Sequence, residues 1–210
     1  MTSFVNDTII VLYTTKGDTH MKVGMQVPAV TFKYRVRTDG QPITYVDTTN
    51  GGENPFDWQD VTTEDIFAGK RVVVFSLPGA FTPTCSTYQV PGFEAQYEEI
   101  KALGVDEVYV ISVNDTFVMR QWMISQGVEN IKFIPDGTGE FTQKMDMLVC
   151  KDNLGFGDRS WRYAAVIDDG VVEQTFIEAG KEDNCPTDPY GVSSPETVVA
   201  YLETVAEKAA

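Results

Sequence analysis

Apolar positions along the chain change their spacing as they go. Residues 71–77 (RVVVFSL) form a continuous β-branched run, the pattern of a strand covered on both faces. Residues 107–113 (EVYVISV) repeat it, and 131–134 (IKFI) give a shorter third run. Between them lie segments of helical spacing, one leading to Gly104 and the next running from Asn114-Asp115 to Gly127, each with a glycine where a helix stops. In the last third, residues 163–168 and 171–176 flank Asp169-Gly170, a two-residue hairpin turn. Ser194-Pro195-Glu196 then opens a terminal helix, with serine as N-cap and proline at the first helical position. The predicted order is βαβαβ, then a hairpin and a helix.

That order predicts an α/β fold with a central mixed sheet flanked by helices, laid out as in the thioredoxin fold. No G-x-G-x-x-G follows a strand and no G-x-x-x-x-G-K-[ST] occurs, so nucleotide chemistry has no support. Residues 1–22 are expected to be an N-terminal extension and 23–210 one domain, with a short strand at 8–13 inside the extension. Residues 47–57, rich in Thr, Asn, Gly and Glu, suggest a surface insertion, and 40–60 as a whole a loop without chemistry.

Charge narrows the partners. Sixteen Lys and Arg against thirty-one Asp and Glu give the 210-residue chain a net charge of −15. Such a surface repels phosphate backbones and anionic lipid, which argues against nucleic acid and membrane as partners. No apolar run approaches the roughly 20 residues of a spanning helix, and the first twenty residues lack the basic start and small-residue cleavage site of an export signal. The three cysteines, at 85, 150 and 185, are too few for a disulfide framework and too far apart for a zinc ribbon. The expectation is a cytoplasmic protein with reduced thiols, no metal and no cofactor.

The chemistry concentrates in residues 77–86 (LPGAFTPTCS), where the first central strand hands over to a helix. Thr82-Pro83 has the form of an N-cap followed by a first-turn proline, which places Cys85 in the first turn. Unpaired N–H groups and the positive end of the helix dipole there favour a thiolate, the nucleophilic form of the sulfur.

Pro78, Thr82 and Cys85 match the Pro-x-x-x-Thr-x-x-Cys motif of peroxiredoxins, and residues 78–86 with Val90-Pro91-Gly92-Phe93 resemble the type-5 (plant type II) branch. The resemblance spans about residues 23–202 and includes residues 111–115 and Arg162-Tyr163. It implies a thioredoxin-like fold and a thiol peroxidase acting on hydrogen peroxide and small alkyl hydroperoxides. Cys85 would be the peroxidatic cysteine, Thr82 the hydroxyl that orients thiolate and peroxide, Pro78 a shield against water, and Arg162 the pocket arginine, with Arg159 as its rival. Where the family often carries histidine, four residues after the cysteine, this chain has Gln89, and no proton-transfer or hydrogen-bonding part is assigned to it.

The sulfenic acid formed on Cys85 needs a thiol to resolve it. By position, Cys185 corresponds to the resolving cysteine of animal members, in a polar loop (178–194) expected to be mobile. Other relatives use an external thiol: glutathione with glutaredoxin, or thioredoxin. Both readings stay open at this point. Cys150, following residues 145–149 at helical spacing, is expected to be a buried inert thiol. The absence of Cys-x-x-Cys weighs against a dithiol oxidoreductase, and the single histidine, His20, against a Cys-His hydrolase. The alternative from another class is a thioredoxin-fold sensor with one oxidisable thiol and no turnover. By resemblance the protein would be a homodimer.

Overall fold

The computed structural model describes residues 21–40 and 54–209. The strand expected at 8–13 and most of the 47–57 insertion lie outside these residues. The described chain opens with an antiparallel pair, β1 (Thr31–Arg37) and β2 (Phe56–Thr62), followed by the short helix α1 (Thr63–Phe67). Then come β3 (Arg71–Ser76), a π-helical turn (Cys85–Gln89) that runs into α2 (Val90–Ala95), α3 (Tyr97–Ala102), β4 (Glu107–Ser112), α4 (Thr116–Ser125) and β5 (Lys132–Pro135). After α5 (Glu140–Lys144) the chain forms a small pair, β6 (Leu148–Cys150) and β7 (Asp158–Ser160), then the hairpin β8 (Tyr163–Asp168) and β9 (Val171–Ile177), and ends in α6 (Pro195–Ala209).

The central sheet has the order β5-β4-β3-β8-β9. Its β3, β4 and β5 are parallel, whereas β8 pairs antiparallel with β3 and β9 antiparallel with β8. This is the mixed, helix-flanked thioredoxin-like sheet the sequence predicts. Local chemistry agrees with it: Asp169 and Gly170 both take positive φ (45° and 76°) in the turn, as a two-residue hairpin with right-handed strand twist requires. Asp115 caps α4 by accepting from the Phe117 and Val118 N–H groups, and the Ser194 hydroxyl accepts from Thr197 at the start of α6.

Strand periodicity divides the interior into two cores. Val73, Phe75, Val108, Val110, Ala164 and Val166 face one way, against α2, α3, α4 and α6. Val72, Val74, Ile111, Tyr163, Ala165 and Ile167 face the other, against α1, α5, the β1–β2 pair and the strand β6. Phe75 stacks on Phe93 of α2 with ring centroids 4.0 Å apart, tying the first helical segment to the sheet.

Two expectations need correction, on residues 56–60 and on Cys150. Residues 56–60 are not loop but part of β2: Phe56 is buried, and the other four are exposed polar and aromatic positions paired with β1, so a period-2 pattern is masked by Asp57, Gln59 and Asp60. Just before the expected start of the domain at residue 23, Met21 packs in the second core. Cys150 follows no helix through 145–149. α5 ends at Lys144, Met145 and Met147 do pack inward, and Cys150 ends a strand half-buried.

Candidate active site

The turn after β3 is built on close backbone approach. A Cβ on Gly79 would come within 3.3 Å of Thr82 Cγ2, and the Asn114 amide oxygen reaches in from the start of α4 to accept from Ala80 N–H at 3.0 Å. Phe81 holds φ at 65°, a left-handed conformation that costs a bulky residue about 1–3 kcal/mol. The result turns Thr82 inward, and its hydroxyl donates to Gly79 O at 2.7 Å. Thr82 therefore sits at the cap position, where its carbonyl accepts from Ser86 N–H at 3.0 Å, but its hydroxyl is spent on the loop and does not cap the helix. Pro78 is buried beside it.

Cys85 begins the π-helical stretch and is fully buried. Trp122 of α4 donates from its indole N–H to the Ser86 hydroxyl at 3.0 Å, pinning the widened turn from the other side. One register step before Tyr163, which faces the second core, Arg162 points into the first, where Cys85 lies. It is 1% exposed, and its Nη1 donates towards the Cys85 sulfur at 3.5 Å. The same nitrogen donates to Gln89 Oε1 at 2.5 Å; Nη2 donates to Asp188 Oδ1 at 2.5 Å and Nε to Pro189 O at 3.0 Å. Burial works to lower the proton affinity of Arg162, but the facing Cys85 sulfur and the Asp188 carboxylate outweigh it, and the net shift is upward. The guanidinium therefore stays charged although it is out of water.

Arg159 occupies a different place. Its Nη1 donates to Val113 O at 2.6 Å and its Nε flanks Gly79, so it braces the loop while Arg162 holds the sulfur. Of the residues expected at the site, Cys85 and Arg162 meet, Pro78 and Thr82 lie in the turn that leads into Cys85, and Cys185 does not join them. It packs in the opposite core, 5% exposed, with its sulfur 3.4 Å from the Thr187 hydroxyl. The loop around it is fastened as well. Asn184 N–H donates to Cys150 O and Asp183 accepts from Cys150 N–H, both at 2.8 Å, while Asn153 N–H donates to Asn184 Oδ1 at 2.9 Å. All three cysteines are free thiols.

Two groups escaped the sequence reading. Gln89 has the hydrogen-bonding part not assigned to it: its Oε1 receives Arg162 and its Nε2 donates to Ser76 O at 3.4 Å. Its spacing of four from Cys85 was a readable signal, since such residues share a helix face. Asp188 carried no local signal, because its partner lies 26 residues away, just before β8. Among the described residues no group of three or more His, Cys, Asp or Glu side chains could hold a metal ion.

The redoxin family pattern matches residues 22–190 of the chain. A peroxiredoxin of Rhizobium etli is 59% identical over 186 residues, covering 89% of this chain and 99% of its own length. The fold matches that of the Plasmodium falciparum antioxidant protein, a 1-Cys peroxiredoxin, with a TM-score of 0.76 at 36% identity over 86% of this chain and 99% of that one. It also matches a reduced peroxiredoxin of Vibrio vulnificus solved in complex with hydrogen peroxide, with a TM-score of 0.70 at 35% identity over 87% and 96% of the two chains. The chain with its buried Cys85 belongs to the redoxin family and is a peroxiredoxin, a thiol peroxidase.

Proposed function

We propose that Cys85 is the sulfur that attacks the hydroperoxide, that Arg162 and Thr82 bind the two peroxide oxygens, and that an external thiol completes the cycle. The observation that carries this reading is the contact between Arg162 Nη1 and the Cys85 sulfur inside a water-excluded pocket. The thiolate attacks one peroxide oxygen, an S–O bond forms and the O–O bond breaks. The second oxygen leaves with a proton as water or an alcohol, and Cys85 becomes a sulfenic acid. The Arg162 guanidinium beside the sulfur can stabilise the charge growing on the departing oxygen, and the Thr82 hydroxyl reaches the peroxide by exchanging its bond to Gly79 O. The hydrogen peroxide complex of the Vibrio relative supports that substrate class.

A free thiol then attacks the sulfenic sulfur and releases water, leaving a mixed disulfide that a second thiol reduces. Two observations favour an outside source over Cys185. Cys185 belongs to the core on the far face of the sheet, and its loop also presents Asp188 and Pro189 to Arg162. Drawing Cys185 to the disulfide spacing of about 5.5 Å between Cα atoms would break the bonds to Cys150 and Asn153. It would also strip Arg162 of its supports. The 1-Cys designation of the Plasmodium relative points the same way. Glutathione with glutaredoxin, or thioredoxin, in a cytoplasmic setting would supply the thiol. The exposed Phe81 and Tyr88 flank Cys85 in the sequence, with Tyr88 stacked on Tyr190, and this apolar exposure supports a homodimer.

Cys85→Ser should abolish peroxide consumption and leave the thermal unfolding transition in place. Wild-type protein supplied separately with thioredoxin and with glutathione/glutaredoxin should turn over, and peptide mapping after peroxide should find Cys85 as sulfenic acid or capped by added glutathione. A Cys85–Cys185 disulfide as the main product would overturn external resolution. Undiminished turnover by Cys85→Ser would overturn the assignment of the nucleophile.

A further inference from the structure

We infer that Glu178 and Asp188 are positioning residues: Glu178 clamps the segment 188–193, and that segment aims the Arg162 guanidinium at Cys85 while Asp188 holds part of its charge away from the sulfur. The inference rests on Cys85 and Arg162 being the reacting pair.

Of the three guanidinium nitrogens, only Nη1 reaches the sulfur. The other two are taken by consecutive residues of one loop, Nη2 by the Asp188 carboxylate and Nε by the Pro189 carbonyl. The Tyr190 ring lies 5.7 Å from the guanidinium carbon, on the same loop. Residues 188–190 therefore fix both the direction and the plane of the group. A guanidinium is rigid, so holding two of its nitrogens determines where the third points.

No helix or strand runs between Ile177 and Pro195, so something else must hold this segment. Glu178, 6% exposed, does so with a single oxygen. Its Oε1 accepts from Gly191 N–H at 2.8 Å, Ser193 N–H at 2.9 Å and the Ser193 hydroxyl at 2.8 Å. Glu178 is itself anchored to the segment that leads into β8: its N–H donates to Arg162 O at 3.2 Å, and its carbonyl accepts from the Trp161 indole at 2.7 Å. The chain thus leaves Arg162, crosses to β9, and returns through the clamp to grip the side chain of the same arginine. Burying a carboxylate is costly unless donors replace its water, and here they converge from the loop that cages Arg162.

Asp188 adds an electrostatic part. It is half-exposed, yet its carboxylate is paired with a buried cation that also faces the sulfur. Around the pair, the π-helical turn contributes Cys85, the loop contributes Asp188 and Tyr190, and Glu178 and Glu196 bear on Tyr190 from the end of β9 and the start of α6. Asp188 is the carboxylate in direct contact with the guanidinium. Its negative charge opposes an anionic sulfur, so the aspartate trades some thiolate stability for a fixed arginine.

The two parts predict opposite signs, which makes them testable. Asp188→Asn keeps an acceptor oxygen and removes the charge. Peptide-resolved alkylation of Cys85 by iodoacetamide at neutral pH should then run about threefold or more faster than in wild type. Glu178→Leu frees the loop and lets the guanidinium swing: stopped-flow oxidation by hydrogen peroxide should slow by about tenfold or more, and alkylation should slow with it. Glu178→Gln, which retains the carbonyl oxygen, should recover most of that rate. Should Glu178→Leu fail to fold, Ser193→Ala removes one donor and should move both rates the same way by a smaller amount.

An alkylation rate for Cys85 in Asp188→Asn that stays put or falls overturns the inference. So does a peroxide rate within about twofold of wild type in folded Glu178→Leu, or in Ser193→Ala where the leucine variant does not fold. Cys85→Ser protein that still consumes peroxide would instead remove the reading on which it rests.

Discussion

Cys85 and Cys185 are a natural pair for comparison, because they are the same side chain at nearly the same burial on opposite faces of one sheet. Cys85 meets a guanidinium at 3.5 Å, itself held by Gln89, Asp188 and Pro189. Cys185 meets the Thr187 hydroxyl at 3.4 Å and is otherwise packed among core residues. Burial alone thus says little about what a thiol does. The difference lies in a cation carried into the interior, which is expensive and persists only with every donor satisfied. The structure sets such a cation against the Cys85 sulfur.

The comparison breaks most sharply if the nearest polar partner of each sulfur is removed. Arg162→Ala should slow oxidation of Cys85 by about 10²–10³-fold, the loss typical of one preorganised donor at a developing anion. Thr187→Ala should leave that rate unchanged. Stopped-flow traces with hydrogen peroxide check both. Equal losses would mean that the two faces are coupled, and equal indifference that the guanidinium does not act on the reacting oxygens.

The next effect is on stability. Cys185→Ala removes a buried sulfur and opens a small void, at a cost of about 1–2 kcal/mol. Turnover with an external thiol should stay within about twofold of wild type. Urea unfolding and a coupled peroxidase assay on the same preparation separate the two quantities. Lost turnover at unchanged peroxide-oxidation rate would instead make Cys185 the resolving thiol, and its loop would have to open during the cycle.

How much of this pair could be read in the sequence follows from the range of the interactions. β3, β4 and β8 were legible because their runs are buried on both faces, and β9 because the Asp169-Gly170 turn pairs it with β8. Cys85 was legible because strand, Pro-Gly turn, threonine and proline lie within ten residues of it. β2 was not, since only Phe56 of its first five residues is buried and the remainder pair through backbone. The π-helical widening at 85–89 was hidden too, because it depends on Trp122 and Ser86 meeting across 36 residues. Cys185 shows the same limit from the other side. A polar loop with glycine and proline has the composition of a mobile segment, but Asp183, Asn184 and Glu178 spend those polar groups on fastening it. Composition records how many hydrogen-bonding groups a loop carries, and only the fold decides whether water or protein satisfies them.

Cys150 sharpens the comparison with the smallest effect. It is the most exposed of the three thiols, and exposure alone would make it the quickest to alkylate. The Asp152 backbone N–H would favour its thiolate, but hydrogen bonding to the Asp152 side chain, partial burial and the Asp152 and Asp183 charges act against it, and the net shift raises the thiol above its ordinary value. A raised value means less thiolate at neutral pH, so Cys150 should react with iodoacetamide more slowly than an unstructured thiol at pH 7. Its rate should keep rising with pH beyond the point where a free thiol levels off. Asp183→Asn, which removes one of the two carboxylates, should bring the midpoint part of the way back. Peptide-resolved labelling across pH 6 to about 10 reads this directly. A Cys150 midpoint at or below that of a free thiol would show that its acidic neighbours leave it untouched, and exposure would then suffice to rank thiols outside the Arg162 pocket.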